Sequence, residues 1–503
     1  MNFSKSRYCE FCQCPKAAWL HKYKPEVREQ DASVEARMVT GNEVGDLAMG
    51  LFGDYIDVTV YNEDGKIDLS RMEELTKQYI HEGRNVICEA SFDYNGLYCA
   101  VDILRKTPGG YAIYEVKSAT HADNYVYVLD TSYQKYVLEK CGIRVTGTYL
   151  VAINSDYVFN GTLDLHKLFT ITDMGPFVDE EIKFVEENLN KAERLLASTD
   201  EPKIGLSEDC KSPYACAYFG YCGRDLPTPS VFDLYRVPFK KKIELYQRGV
   251  VAYEDVLSGG HCGNEIRRRQ VDFALHDRGT HIDRNGIREF LSTISYPLYF
   301  LDFETMQLVI PQYVGTKPYQ QIPFQYSLHY IEEEGGELKH KEFLAESGPD
   351  PRRALAECLV ADIPTDACVL AYNKAFECTR IKELAESFPD LADALLQIEK
   401  NIIDLLIPFQ SGYYYNRDMG SSFSIKSVLP AIFPDDPSLD YHNLEGVHNG
   451  GEAMEIFPQI KDMPPEEREV ARHNLLKYCE LDTYAMVKIW QELVRCVTDD
   501  EVA

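Results

Sequence analysis

Residues 296–306 read YPLYFLDFETM, a short apolar and aromatic run that carries two acidic side chains. A run of this length and composition predicts a buried β-strand. Asp302 and Glu304 are two positions apart, so their side chains leave the same face of that strand. Two carboxylates on an otherwise apolar strand are costly unless a cation offsets their charge. By itself the stretch is equally typical of a metal site and of a solvent-exposed strand end.

Two later motifs add acidic residues in the same half of the chain. AYNKAFE contains Asn373, Phe376 and Glu377, and KYCELDTYAM contains Tyr478 and Asp482. The i,i+4 spacing of the second pair places its hydroxyl and its carboxylate on one face of a helix. Alone, that pair is more typical of an ordinary amphipathic helix. Together the three motifs supply four carboxylates, which suffice to hold two divalent cations about 4 Å apart.

In this order the three motifs resemble the DEDD-type 3′–5′ exonucleases of the tyrosine subclass, over about residues 296–493. The same stretch looks like a bacterial family of uncharacterised domains related to these exonucleases. The resemblance implies an RNase H-like mixed sheet flanked by helices, and a two-metal-ion phosphodiester hydrolase that uses Mg²⁺ or Mn²⁺. The catalytic and metal-binding residues that it implies are Asp302, Glu304, Glu377 and Asp482, with Tyr478 orienting the attacking water.

The chain departs from that family at one position and leaves others open. The family has Asp where this chain has Glu377, whose extra methylene changes the geometry of the site. Asp404, in NIIDLLIP, is interpreted as structural or as supporting the metal ligands. In PYQQIPFQYSLH, Gln321, Phe324 and Gln325 either contact the substrate or belong to a packed hairpin.

A second constellation lies in the first 225 residues. Asp102 follows an apolar strand pattern, and Glu115 and Lys117 share one face of the next predicted strand. Adjacent strands that present Asp, Glu and Lys together can bind one or two divalent ions, with the Lys beside the attacking water or the scissile phosphate. Alone, the pattern favours a simpler interpretation, a hairpin with a cross-strand ion pair.

Six of the fifteen cysteines cluster at the two ends of this region. They are Cys9, Cys12 and Cys14 near the start, and Cys210, Cys216 and Cys222 near residue 225. Because no secretory signal is evident, a disulfide framework is disfavoured. Three late thiolates and one early thiolate make four soft ligands, suited to Zn²⁺ or to an iron–sulfur cluster.

Taken together, these features resemble the RecB-like PD-(D/E)xK nucleases that carry an iron–sulfur cluster, in particular the CRISPR-associated exonuclease branch, over about residues 5–225. The resemblance implies a restriction-endonuclease-like core and a 4Fe–4S cluster, with Zn²⁺ as the alternative. It implies Cys14, Cys210, Cys216 and Cys222 as cluster ligands, and Asp102, Glu115, Lys117 and Gln134 as catalytic residues, the first two also as metal ligands. Cys9 and Cys12 are left without an assigned part.

Two departures from this second family concern its helices. The helix that often supplies a His ligand reads GNEVGDLA, so Glu43 or Asp46 would have to substitute. The Q-x₃-Y motif is also altered, because position 138 is Leu and the tyrosine is Tyr136. These changes put the activity of this region in question.

The length of 503 residues predicts an α/β chain of two domains and a connection. We expect a nuclease domain at 1–225, a helical connecting segment at 226–292 and an exonuclease domain at 293–497. The start of the sequence has no apolar signal-peptide core, and no apolar run is long enough for a membrane span, which favours a cytoplasmic protein without a membrane partner.

The formal net charge of −29 opposes a nucleic-acid partner, since it repels phosphate at long range. The densest basic runs, at 240–242 and 267–269, are more typical of solvated helix faces. The expected function is nevertheless hydrolysis of single-stranded nucleic acid, with DNA favoured. One alternative is an RNA-directed 3′–5′ exonuclease with a non-catalytic N-terminal clamp, and another is a non-enzymatic binding protein whose sites have decayed.

Overall fold

A computed structural model describes residues 3–30, 33–121 and 125–498, with the backbone alone at 33–37. The chain is mixed α/β, which confirms the expected class at that level. It divides into two compact units. The first comprises Met1–Asp225 and Val309–Tyr319, and the second comprises Leu226–Leu308 and Gln320–Ala503.

The first unit is built around one sheet. Its strands are β1 (Phe3–Ser4), β2 (Ile56–Asp57), β3 (Val86–Tyr94), β4 (Leu97–Thr107), β5 (Gly110–Lys117), β6 (Val145–Ile153) and β7 (Phe169–Asp173). Its helices are α1 (Lys5–Gln13), α2 (Pro15–Tyr23), α3 (Ser33–Met49), α4 (Leu69–Glu82), α5 (Tyr125–Lys140), α6 (Leu165–Leu168), α7 (Gly175–Ala197) and α8 (Phe219–Gly223).

The strand order is β2-β3-β4-β5-β6-β7, with β1 beside β4. Strands β3, β4 and β5 form an antiparallel meander, and β6 lies parallel to β5. A parallel pair needs a crossover connection, and here α5 supplies it. Helix α5 is buried over most of its length, so the polar side chains that it carries are held at fixed positions beside β5.

The second unit contains a five-stranded sheet and a two-stranded ribbon. Its strands are β8 (Thr280–Ile282), β9 (Leu298–Gln307), β10 (Gln321–Ile331), β11 (Lys339–Leu344), β12 (Cys368–Ala371), β13 (Ile402–Asp404) and β14 (Tyr414–Asn416). Its helices are α9 (Phe239–Gln247), α10 (Tyr253–Ser258), α11 (Glu265–Leu275), α12 (Arg284–Leu291), α13 (Arg352–Asp362), α14 (Ala375–Ser387), α15 (Ala392–Lys400), α16 (Ile407–Gln410), α17 (Ile425–Ile432), α18 (Gly450–Gln459) and α19 (Pro465–Thr498).

In the five-stranded sheet the order is β11-β10-β9-β12-β13, so β9 is central. It pairs antiparallel with β10 and parallel with β12. Along β9, Tyr299, Leu301 and Phe303 pack into a core that also contains residues of α13 and α14. The alternate positions face α19, since Phe300 meets Trp490 and Asp302 meets Cys479. The period of two that defines a strand therefore separates an apolar face from an acidic one.

Residues 226–292 belong to the second unit rather than forming a separate connection. They bury a small core of their own, which includes Val231, Leu245 and Val256. Strand β8 pairs antiparallel with β14, and the Arg284 guanidinium donates to the Cys496 carbonyl at 3.1 Å. Among the described residues, no helix has both the length and the apolar character that crossing a membrane requires.

Candidate functional site

The acidic face of β9 meets α19 at Asp302, Glu304 and Cys479. The Cys479 thiol lies 3.8 Å from the Asp302 carboxylate. Each of the three offers one potential ligand atom, and these atoms lie within 4.8 Å of one another. Glu304 is buried and Cys479 is inaccessible to solvent. The two acids of the first motif are thus on one face of the strand, with Glu304 buried and Asp302 partly exposed.

Asp482 joins this group from α19, one helical turn after Tyr478. Both side chains are buried. The Tyr441 hydroxyl donates a 2.6 Å hydrogen bond to Oδ1 of Asp482, and the Tyr441 and Tyr478 rings lie 6.0 Å apart. Sequence reasoning missed Tyr441, because it lies in an irregular segment between α17 and α18 where no periodicity signals a buried position.

Lys426, at the start of α17, is a cation whose charge acts on this cluster. Its Nζ lies 4.9 Å from the centre of the Tyr441 ring and 5.2 Å from that of Tyr478. It donates to the His448 carbonyl at 3.0 Å. Its charge lowers the pKa of both Glu304 and Asp482, against the larger effect of burial. Nothing in the sequence around Lys426 signalled this position.

Glu377 occupies the first turn of α14 and is 3% exposed. Its Oε2 atom has no hydrogen-bond partner among the described residues, although it is buried. The preceding turn is held by Asp404, whose Oδ1 accepts from the backbone N–H of Asn373 at 2.9 Å and of Leu406 at 3.0 Å. Asn373 has φ +66°, a left-handed conformation that Asn tolerates better than most residues. Asp404 therefore shapes the turn that presents Glu377.

Burial favours the protonated forms of these four acids, and the charges of Asp482 and Glu377 add to that effect at Asp302 and Glu304. Burial raises the pKa of Asp302 and of Glu304 well above the ordinary range, and the charge of Asp482 adds to both. Burial also raises the pKa of Asp482 to about 6 and that of Glu377 to about 8. The charge of Lys426 acts against this effect at Glu304 and Asp482, and that of Arg380 acts against it at Glu377. Carboxylates in excess of these cations, one with an unpaired oxygen, are a donor set that fits divalent metal ions.

In the first unit, Glu115 is fully buried at the end of β5 and is surrounded by donors. Its Oε1 accepts from Lys117 at 2.6 Å and from Lys5 at 2.9 Å. Its Oε2 accepts from Gln134 of α5 at 2.5 Å. Burial and Asp102 act to raise the pKa of Glu115, but the two ammonium groups outweigh them and lower it. Three of the four expected catalytic residues thus meet at one carboxylate.

Asp102 and Asp130 complete the same network. Asp102 accepts from the backbone N–H of Val116 at 2.6 Å, and Asp130 accepts from Lys117 at 2.9 Å. The Lys5 ammonium lies 3.9 Å from Asp102 and 3.8 Å from Asp130. Sequence reasoning missed Lys5 and Asp130. The i,i+4 spacing of Asp130 and Gln134 was a usable signal, whereas Lys5 comes from a distant helix and left none.

Glu89 is a further acid at this site. It interrupts β3 with φ +55° and lies between positions that pair with the two neighbours of Asp102. Burial, and then the charge of Asp102, raise its pKa to about 7. Four carboxylates (Glu89, Asp102, Glu115 and Asp130) therefore face two ammonium groups (Lys5 and Lys117). The excess of two negative charges is what one divalent cation would balance.

The residues at which the chain departs from the motifs of the RecB-like family lie away from the acidic group around Glu115. Glu43 and Asp46 of α3 are exposed to solvent. The Tyr136 hydroxyl donates to Glu186 of α7 at 3.3 Å, on the outer side of α5. Glu89 is therefore better placed beside Asp102 than either of the two substitutes expected from the sequence.

The four cysteines expected as cluster ligands are brought together by the packing of α2. Cys14, Cys216 and Cys222 border a small core around Trp19. Gln13 draws the later loop to this end, since its side chain donates to two backbone carbonyls there, at 2.7 and 2.8 Å. Burial raises the pKa of Cys216 to about 11, with neighbouring thiols, including that of Cys210, acting in the same direction.

The spacing of these thiols is wider than in a compact metal site. Where three or more potential ligand atoms of the described residues lie within 4.8 Å of one another, these cysteines are not among them. Cys9 and Cys12 lie elsewhere and pack against the main core of the first unit.

A cleft of about 510 Å³ opens beside Asn373 in the second unit. Tyr235, Arg236 and Tyr372 contribute to its lining. The Arg236 guanidinium lies 5.3 Å from the centre of the Tyr235 ring, and Arg236 is exposed with φ +47°. The cleft thus offers a cation and aromatic surfaces next to the motif that carries Glu377.

The two basic runs bond largely within the protein. Lys242 donates to the Phe232 carbonyl at 2.6 Å, and Arg269 donates to the Gly412 carbonyl at 2.6 Å. In the hairpin after the first motif, Phe324 is buried and stacks on Phe457 at 3.9 Å, and Gln325 is also buried. These hairpin residues pack rather than face a substrate.

Two similarities to known sequences were found, and the first of them covers part of the acidic motifs. Residues 299–424 match the model of a family described as a domain of unknown function, DUF2779. The Uncharacterized protein UU173 of Ureaplasma parvum serovar 3 is 27% identical over 223 residues. That alignment covers 40% of this chain and 31% of the relative, so the chain spans about a third of the relative's length. The family match includes Asp302, Glu304 and Glu377.

Proposed function

We propose that the second unit is a metal-dependent 3′–5′ exonuclease that acts on single-stranded nucleic acid. The observation that carries the proposal is a group of four carboxylates from β9, α14 and α19, three of them buried and Asp302 partly exposed, in excess of the cations Lys426 and Arg380 that act on them. Structural acids are normally paired, whereas this group keeps an unbonded oxygen on Glu377. An RNase H-like fold is the finer assignment that accompanies the proposal, supported by the position of the acids on the central strand and on the terminal helix.

The residues divide the work as follows. Asp302, Glu304, Glu377 and Asp482 would hold Mg²⁺ or Mn²⁺, which when bound would activate water and offset charge on the scissile phosphate. Tyr478 orients the attacking water. Tyr441 fixes the Asp482 carboxylate through its 2.6 Å hydrogen bond. Lys426 adds positive charge at the edge of the site, where a phosphate would enter.

The cleft beside Asn373 is proposed as the path of the strand. Tyr235 and Tyr372 offer rings on which bases can stack, an interaction that does not depend on sequence. Arg236 can pair with a phosphate oxygen. A local cation of this kind allows binding despite the net charge of −29, at the cost of strong salt sensitivity.

For the first unit we propose a PD-(D/E)xK nuclease site in which Asp102, Glu115 and Glu89 would hold a divalent cation. Lys117 is then the residue beside the reacting phosphate and Gln134 positions Glu115. The alternative, a non-catalytic clamp, is favoured by one observation. The Lys5 ammonium already lies between Glu115, Asp102 and Asp130, where it competes with a metal ion.

Cys14, Cys210, Cys216 and Cys222 are proposed to hold a 4Fe–4S cluster. A tetrahedral zinc site with bonds of about 2.3 Å brings its sulfur ligands within about 4 Å of one another. Bound there, the cluster would tie the beginning of the first unit to its end.

The test is digestion of single-stranded DNA and RNA, each labelled at the 3′ or the 5′ end, with Mg²⁺ or Mn²⁺. Wild type is compared with Asp302→Asn, with Lys117→Gln and with the control Asp366→Asn, an exposed acid of the same unit. Stepwise release from the 3′ end should persist in the control and disappear in Asp302→Asn. Residual cutting that disappears only with Lys117→Gln would assign activity to the first unit as well. A wild type that degrades neither polymer with either metal would contradict the proposal and favour a binding protein.

A further inference from the structure

A separate group of potential metal ligands lies in the second unit. It consists of His329 on β10, His340 on β11 and Glu480 on α19. One ring nitrogen of each histidine and one carboxylate oxygen of Glu480 lie within 4.8 Å of one another. His329 is 5% exposed, whereas the other two are partly exposed, so the group is open to solvent on one side. Glu480 is two positions from Asp482, so the two side chains leave different faces of α19.

Hydroxyl groups hold one ring nitrogen of each histidine. The Thr483 hydroxyl lies 2.8 Å from Nδ1 of His329, 2.7 Å from the Ser327 hydroxyl and 3.1 Å from the Glu480 carbonyl. The hydroxyl has one hydrogen to donate, and one arrangement that satisfies all three neighbours uses it on the Glu480 carbonyl. In that arrangement His329 is protonated at Nδ1 and donates to Thr483.

The same arrangement extends to the second histidine. The Ser327 hydroxyl then donates to Thr483 and accepts from Nε2 of His340 at 2.9 Å. In the neutral ring one nitrogen donates and the other accepts. Nε2 of His329 and Nδ1 of His340 would then carry the lone pairs available to a metal ion. Metal-ligating histidines typically donate their second N–H to an oxygen in this way, which fixes the tautomer and the ring orientation.

From these observations we propose that His329, His340 and Glu480 form a binding site for Zn²⁺. Two imidazole nitrogens and one carboxylate are a donor set that zinc binds readily, whereas Mg²⁺ prefers oxygen ligands alone. The open side leaves a fourth position for water. Bound zinc would fasten β10 and β11 to α19. The site is chemically distinct from the four-carboxylate cluster and does not depend on the exonuclease proposal.

The experiment measures zinc bound by the full-length protein after equilibration with Zn²⁺ and removal of the excess. Wild type is compared with Glu480→Gln, which keeps the shape of the side chain, and with His340→Ala, which removes a partly exposed ring. His276→Ala, on an exposed histidine of the same unit, is the control. We expect wild type and control to hold one more zinc ion per chain than either ligand variant. Affinity should fall at least about 100-fold, because loss of even an outer hydrogen-bond partner costs 10–100-fold.

Two further comparisons separate this site from the others. Any zinc that the cysteines hold would be the same in wild type and in the three variants. Only differences in zinc content between these proteins are therefore interpreted. The Glu304→Gln variant should hold as much zinc as wild type, even if this substitution abolishes nuclease activity. Ser327→Ala should weaken zinc binding about 10–100-fold by releasing the His340 tautomer. Equal zinc content in wild type, Glu480→Gln and His340→Ala would overturn the proposal.

Discussion

The two acidic clusters of this protein differ in how their charge is balanced. In the second unit, four carboxylates, three of them buried, face the cations Lys426 and Arg380, which are bonded to the His448 carbonyl and to Glu383. In the first unit, Lys5 and Lys117 both bond directly to Glu115, at 2.9 and 2.6 Å. The pKa shifts follow this difference. Burial raises the pKa of Glu377 to about 8, while at Glu115 the two ammonium groups overcome burial and lower the pKa.

This contrast shows that two similar sets of acids can depend on different counter-charges. The cluster in the second unit is stable without metal only when several of its carboxylates are protonated, so a bound cation is the simplest way to ionise it near neutral pH. The cluster in the first unit supplies most of its own positive charge. We therefore expect the second unit to depend strongly on divalent metal, and the first unit to depend on its lysines.

The largest effect is expected at Glu377, whose unpaired oxygen distinguishes the metal-dependent cluster. Glu377→Gln should lower kcat for 3′-end release about 10³-fold, equivalent to about 4 kcal/mol of lost charge stabilisation. Folding stability should not fall, because the change removes a charge from a crowded acidic group. Single-turnover digestion at saturating Mn²⁺ measures the effect, with Glu386→Gln on the exposed face of the same helix as the control. Unchanged activity would remove Glu377 from the site.

In the first unit, whose acidic cluster supplies most of its own positive charge, a substitution is expected to lower folding stability. Lys5→Met leaves buried carboxylates with one ammonium group, and breaking such a pair costs about 3 kcal/mol or more. Chemical denaturation should show this loss in the first unit, and added Mn²⁺ should recover part of it by occupying the vacated position. Lys66→Met, on an exposed lysine, should change neither quantity. If Lys5→Met were as stable as wild type, the comparison between the two clusters would fail.

A smaller effect is expected at Tyr441. Its hydrogen bond lowers the pKa of Asp482, against burial, so Tyr441→Phe should make the carboxylate harder to ionise. Metal affinity should fall about 10–100-fold, as for other partners of metal ligands. Tyr478→Phe is the matched comparison, because that residue is assigned to the water and should lower kcat instead. Mn²⁺ titrations followed by activity separate the two outcomes, and identical behaviour of the two variants would contradict the division of roles.

Local spacing predicted those parts of the site that lie within one element. Asp302 and Glu304 share a strand face, and Tyr478 and Asp482 share a helix face, because the periods of the two structures require it. The α/β class followed from the alternation of short apolar runs and amphipathic stretches. The same logic placed Glu115 and Lys117 on one face of β5, whereas Gln134 was expected only from the family resemblance.

The residues that sequence reasoning missed have two kinds of origin. Tyr441 lies in a short connection between helices, and Glu89 has a positive φ that breaks the strand around it. Lys5 and Lys426 reach their sites from helices distant in sequence, so only tertiary packing shows that they neutralise acids. The charge balance of each cluster was therefore not predictable, although the four acids of the second unit and two of the four in the first were.

The smallest expected effect is a change of folding stability with pH, and the pKa shifts determine its direction. Asp482 and Glu377 have ordinary pKa values of 3.8 and 4.5, raised by burial to about 6 and about 8. A raised pKa contributes stability that is complete below the ordinary value and is lost as pH rises through the folded value. In chelator, the second unit should therefore become less stable between about pH 4 and pH 8. Even a difference of one pKa unit corresponds to about 1.4 kcal/mol of folding free energy, or roughly 3–6 °C in melting temperature.

Hydrogen exchange of the β9 and α19 amides across this pH range would detect the loss of stability. Mn²⁺ should abolish the decline, because it binds the ionised form, and a decline that persists in saturating Mn²⁺ would show that these acids do not hold the metal.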